Sequence, residues 1–293
     1  MSKELCIFGE VLFDMFPDGH HVLGGAPLNV SWHLQAFGQS PYFISRIGKD
    51  PEGIRVRKTM LDWGMDTDAL QTDNNYPTGK VNIELVNGEP HYDIVEPCAY
   101  DNIHPVTLGA SDCQILYHGS LALRSIQSEK ALLALLKNNP SLLFVDVNLR
   151  SPWWNTEAVL QMLKHADWVK LNEEELGLLY PSDEDTATRQ QAIIDLYDLK
   201  GLILTHGGKG AEILTAQGER HSVSPRKETK VADTVGAGDA FSSVVILGLK
   251  NGWPLSLTAE RAQEFASAIV QKRGAIVKER KFYLDLMKNW GLG

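Results

Sequence analysis

The run DTVGAGDAFSSVVILGLK, Asp233 to Lys250, holds the residues best suited to chemistry. Gly236, Ala237 and Gly238 have little or no side chain, and an apolar helical run starts immediately after them. Backbone N–H groups at a helix start, with the positive end of the helix dipole behind them, favour a concentrated negative charge. Asp239 falls in the first turn, where a carboxylate reaches whatever sits over the loop. A base beside an anion cradle fits proton abstraction from a hydroxyl that attacks a phosphoryl group. The same letters also spell a Gly-rich helix start with an Asp cap. GAGD alone leaves both readings standing.

Other stretches offer partners for a ligand. In GGAPLNVSWHLQAFG, Gly24 and Gly25 allow close backbone approach, and Asn29, one turn into a helix, offers donor and acceptor to a polyol. A Gly-Gly turn leading into a packed helix explains the same letters. Asp14, in GEVLFDMF, could accept two sugar hydroxyls, although a solvated loop acid is the simpler account. VDVNLR puts Asp146, Asn148 and Arg150 at alternate positions leaving a buried strand, the end at which open α/β sheets bind ligands. Arg150 is the natural phosphate or oxyanion partner there. KLNEEEL sets Asn172 and Glu175 three apart on one face of a starting helix. Such oxygens suit a hydrated Mg²⁺, and equally an N-cap with its first-turn acids. LTHGGKGAEI carries Thr205, Gly207, Gly208 and Gly210 in a turn that lines a nucleotide or merely reverses the chain.

These residues need a frame, and the hydrophobic pattern supplies one. Strands are expected at 5–8, 42–47, 115–118, 142–147, 168–171, 202–205 and 211–214, several apolar throughout as strands covered on both faces should be. Helices are expected at 27–37, with Pro at its start and Gly38 past its end, and at 258–273, stopping at Gly274. Alternation of this kind predicts an α/β fold with a mainly parallel central sheet. Residues 78–105 break the rhythm. Val81, Ile83 and Leu85 alternate with polar neighbours, Asn87-Gly88 spells a hairpin turn, and Tyr92 and Ile94 alternate on the return. This predicts a small antiparallel sheet outside the main one, joined by residues 10–23, serving as a lid or as the surface of a homodimer.

Composition excludes several classes. The chain has 293 residues, 43% hydrophobic and 22% charged, with a formal charge of −9. That is ordinary for a soluble globular protein and argues against nucleic acid or an anionic membrane as partner. Cys6, Cys98 and Cys113 lie far apart with no CxxC pair, so a cytoplasmic enzyme is expected rather than a disulfide scaffold or zinc ribbon. No apolar run approaches the ~20 residues of a membrane helix, and the start of the chain has too short an apolar stretch for a signal peptide. The nine histidines show no HExxH spacing. GxxxxGK[ST] is missing, and GEVLF follows the first strand where a dinucleotide fingerprint would stand.

In this order the motifs resemble the ribokinase-like (PfkB) family of carbohydrate kinases. GGAPLN, IGKDPEG at 47–53, DVNLR, NEEE and DTVGAGDAF carry the resemblance across nearly the whole chain. GEVLFDMFPDG, YPTGKVNIEL and AYDNI look most like its fructokinase branch. The resemblance implies one kinase domain, 1–293, built as a three-layer α/β sandwich with a small β-sheet lid at about 10–23 and 78–105. It also implies ATP as donor and Mg²⁺ as helper. Asp239 would be the base and Gly236–Gly238 the anion hole. Asp14, Gly24, Gly25 and Asn29 would hold the sugar with Arg150, which is expected on the donor side. Asn172 and Glu175 would organise the metal through water, and Thr205, Gly207, Gly210 and Gly238 would follow the nucleotide. K⁺ is a further candidate near Asp233 and Val235. The expected reaction is transfer of the γ-phosphoryl group to a hydroxymethyl group of a free hexose, fructose first. A nucleoside or another sugar as acceptor, or a non-catalytic binding relative, are the alternatives.

Overall fold

Apolar runs become strands and amphipathic runs become helices in the computed structural model, which describes residues 3–86, 89–109, 112–226 and 230–292. The chain divides into two compact units, one of residues 1–114 and 122–139, the other of 115–121 and 140–293.

The first unit contains β1 (Leu5–Phe8), β2 (Leu12–Met15), β3 (His21–Gly24), β4 (Tyr42–Gly48), β5 (Leu70–Asp73), β6 (Gly79–Val86) and β7 (Glu89–Ile94). Its helices are α1 (Ala26–Ala36), α2 (Pro51–Trp63) and α3 (Ile126–Leu136). Strands β1, β4 and β5 pair in parallel in that order. α1 packs on β1 and β4, and α2 packs on β4, which is why Leu5–Phe8 can be apolar and buried throughout. A separate small sheet runs β3-β2-β6-β7, with β2 and β6 parallel and the outer pairs antiparallel.

Both roots of the β6–β7 hairpin are fastened. Asp50 caps α2 through the N–H of Gly53 at 2.7 Å. It also accepts the N–H of Thr78 at 2.7 Å and its hydroxyl at 2.6 Å. The IGKDPEG motif thus ties the start of β6 to the start of α2. On the return, the Arg124 guanidinium meets Asp101 Oδ1 at 2.7 Å and donates to the carbonyl of Val95 at 2.9 Å. The small sheet is shorter than the expected lid: its second hairpin strand ends at Ile94, and Cys98, Ala99, Tyr100 and Ile103 are fully buried. Residues 99–102 form a 3₁₀ turn whose apolar side chains belong to the core. Ile94 is buried as the alternation requires, while its same-face neighbour Tyr92 is half-exposed. The Asn87-Gly88 turn lies outside the described residues.

The second unit contains β8 (Ile115–His118), β9 (Leu142–Asp146), β10 (Trp168–Asn172), β11 (Gly201–Thr205), β12 (Ala211–Thr215) and β13 (Arg220–Val223). Its helices are α4 (Thr156–Leu163), α5 (Glu173–Leu179), α6 (Thr186–Tyr197), α7 (Ala237–Asn251), α8 (Leu255–Ile269) and α9 (Arg280–Asn289). β8 to β11 are parallel neighbours, and β12 and β13 continue antiparallel. The architecture is therefore α/β with a large, mostly parallel sheet and a smaller separate one. β5 (LQTD) and β13 (RHSV) escape the sequence pattern because they are short and largely polar. α8 begins three residues earlier than the pattern predicts, since Pro254 supplies its N-cap.

His118, at the end of β8, is fully buried, with Nδ1 3.0 Å from the carbonyl of Gly119. Burial pushes its pKa from 6.5 down to about 4. Below pH 6.5 the unfolded chain therefore takes up a proton that the native state refuses. Stability contributed by His118 is full above that pH and falls by about 3 kcal/mol as the pH drops to 4. Urea melts at pH 7 and pH 4.5 should show a larger loss for wild type than for His118→Phe. An equal loss would mean that His118 does not drive the effect.

Candidate active site

In the second unit the site is built on the start of α7. Gly236 is the N-cap at φ 80°, in the left-handed region, and a Cβ there would lie 2.5 Å from Cα of Ala275. Glycine is required on both counts. Ala237, Gly238 and Asp239 make the first turn, all half-buried, so their backbone amides and the Asp239 carboxylate gather at one helix end. Asp233 braces the loop from behind, accepting the N–H of Val235 at 3.1 Å and of Gly274 at 3.0 Å. The two residues expected near K⁺ thus share one turn, and the carboxylate has a structural task of its own.

Beside this loop lies a network of which the sequence pointed to Asp146 alone. Lys170 of β10 donates to both carboxylate oxygens of Asp146 at 2.8 Å. Ser242 of α7 and Tyr117 of β8 donate to Asp146 Oδ2 at 2.8 and 3.3 Å. A Cβ on Gly238 would stand 3.3 Å from Lys170 Nζ. The register of β9 and β10 sets Lys170 opposite Asp146, where two charges inside apolar strands satisfy each other.

Asn172 and Glu175 meet as expected, in a capping box at the start of α5. Asn172 Oδ1 accepts the N–H of Glu175 at 2.9 Å, while Glu175 accepts from Asn172 N–H and Leu149 N–H, each at 2.8 Å. Burial raises the Glu175 pKa, and the two backbone amides oppose that rise. The capping reading is therefore met, and a Mg²⁺ held through water would have to use the second lone pair of each carboxylate oxygen. Among the described residues no group of three or more His, Cys, Asp and Glu forms a direct metal cage.

Thr205 pairs with Asn172 across β10 and β11. The following 3₁₀ turn, Gly207–Lys209, shows bare backbone: a Cβ on Gly207 or Gly208 would meet nothing within 4 Å. Gly210 differs, because a Cβ there would strike the carbonyl of Val223. Its glycine serves the turn itself. Arg150 is exposed, and its Nη1 donates to the carbonyl of Leu149 at 3.3 Å.

The residues expected at the sugar, Asp14, Gly24, Gly25 and Asn29, lie in the first unit. Asp14 lies on β2, and a Cβ on Gly24, in the neighbouring β3, would stand 3.4 Å from Asp14 Oδ2. Gly25 caps α1 at φ 109°, and a Cβ there would lie 2.7 Å from the carbonyl of Glu10. Asn29 N–H donates to the Gly25 carbonyl at 2.9 Å, which places the buried Asn29 one turn into α1.

A mostly parallel α/β sheet, a small separate sheet and a Gly-rich helix start bearing an aspartate define a class, and the chain belongs to the pfkB family of carbohydrate kinases, matching it over residues 9–281. Within that family it is similar to the fructokinase of Escherichia coli, at 29% identity over 96% of this chain and 95% of the relative. Among solved structures it is similar to the fructokinase with bound ATP from Xylella fastidiosa, with a TM-score of 0.86 at 21% identity, covering 99% of this chain and 100% of that one. The Vibrio cholerae O395 fructokinase, in fructose-, ADP- and calcium-bound form, gives a TM-score of 0.81 at 25% identity, covering 96% and 98%. Among the described residues no helix is long and apolar enough to cross a membrane.

Proposed function

We propose that this kinase transfers the γ-phosphoryl group of ATP to a hydroxymethyl group of a free hexose, fructose foremost. The observation that carries the reading is the helix start at Gly236, which sets backbone amides and the Asp239 carboxylate at one end of α7. Asp239 takes the hydroxyl proton as the oxygen attacks, and the amides of Ala237 and Gly238 offset charge on the transferring group. Mg²⁺, where bound, supplies further charge neutralisation on the phosphates, and Asn172 with Glu175 would hold it through water. The bare turn at Gly207 and Gly208, beside Thr205, offers backbone groups to the nucleotide. Asp14, Gly24, Gly25 and Asn29 are the proposed sugar residues, and the fructose and ADP bound by the Vibrio cholerae relative support the choice of substrates.

The experiment is an ATP-consumption assay against a panel of sugars and nucleosides. Fructose should give the highest kcat/KM, and a nucleoside in first place would replace the hexose reading. Asn29→Ala is expected to raise the sugar KM at least about tenfold while the ATP KM stays near wild type, the loss of one polar contact to the sugar. Equal increases in both would make Asn29 a structural residue.

A further inference from the structure

The second unit holds a buried charge pair that the proposed transfer has not yet used. Lys170 is 7% exposed and Asp146 2%, and among the described residues Asp146 is the hydrogen-bonding partner of Lys170. Taking two charges out of water is costly, and apolar side chains of similar size often fill such a place with no loss of stability. Stability alone therefore gives little reason for the pair. Its location gives a better one. Gly238 sits against the Lys170 ammonium, and Ser242, four residues further along the same helix, is bonded to Asp146. The pair thus touches α7 on two successive turns, the first of them the loop itself.

We infer that Lys170 is a positioning residue for phosphoryl transfer: it fixes the Gly236–Gly238 loop through Gly238, with Asp146 and Ser242 as its tether. The inference rests on the reading that this loop receives the transferring group.

The test is steady-state kinetics with the best sugar and ATP, alongside thermal melts, on wild type, the double variant Asp146→Asn/Lys170→Met and Ser242→Ala. The double variant removes both charges, so neither is left buried alone. Wild type must phosphorylate a sugar, and an inactive wild type would sink the kinase reading and this inference with it. Given active wild type, the folded double variant should lose at least about tenfold in kcat, with both KM values within about twofold of wild type. A merely structural pair would move the melting temperature and leave kcat alone, and a folded double variant with wild-type kcat overturns the inference. Should the double variant fail to fold, Ser242→Ala decides. It keeps every charge and cuts the tether, so kcat should fall several-fold at unchanged KM. Wild-type kcat in Ser242→Ala would likewise overturn the inference.

Discussion

Asp239→Asn is expected to abolish phosphoryl transfer while ATP and sugar still bind. The substitution keeps the shape of the side chain at the start of α7 and removes its ability to take a proton. General-base catalysis is worth roughly 10²–10⁴ in rate, so kcat should fall by at least that factor. The cradle itself needs only the backbone amides of Ala237 and Gly238, which the variant retains. Binding of ATP and of fructose, measured by calorimetry, should therefore remain near wild type. Turnover close to wild type would remove Asp239 from the mechanism.

Free fructose is expected to exceed its 6-phosphate and 1-phosphate esters in kcat/KM by about a hundredfold or more. The segment from Lys80 to Pro105 carries one cation against five acids. Lys80 lies 3.5 Å from Glu52, and Arg124, which adds a guanidinium from outside the segment, is engaged with Asp101. Arg55 of α2 stacks on Phe13 at 4.8 Å and donates to the carbonyl of His21. Lys80 and Arg124 are thus engaged by acids before any acceptor phosphate arrives, while the ring and carbonyl that hold Arg55 leave its charge unneutralised. A phosphate held there without a partner costs about 3–5 kcal/mol, and each 1.4 kcal/mol is a factor of about ten. A preference for either ester would overturn the argument and point to Arg55 or Arg150 as the phosphate's partner.

Much of the frame was legible because burial writes itself into sequence. β1 is a continuous apolar run and β8 is apolar up to its closing His118, and the limits of both fall where the sequence pattern places them. The α7 helix start was legible for a different reason, since small residues ahead of an apolar run mark where a helix begins, whatever the loop then does. The edge strands β5 and β13 were not legible, because an edge needs no apolar face. The end of β7 at Ile94 was not legible, because the small and aromatic residues of Cys98–Ile103 carry no pattern that marks where the strand stops. Lys170 went unread because pairing across neighbouring strands depends on a register that local patterns do not contain. Glu175 was found for the right spacing, yet the sequence could not show that a backbone amide from another loop, Leu149, would claim one of its oxygens.

The fastenings at Thr78 and at Val95–Asp101 have a consequence for engineering. Each end of the hairpin is held by charged side chains from elsewhere in its unit, Asp50 at one end and Arg124 at the other. Between those posts β6 also pairs with β2, so a hairpin grafted from a relative with another substrate must keep that register as well as both junctions. Transplants cut at Thr78 and Val95 that keep the β2 register should preserve the host's melting temperature, whereas replacing Asp50 or Arg124 in the host should lower it.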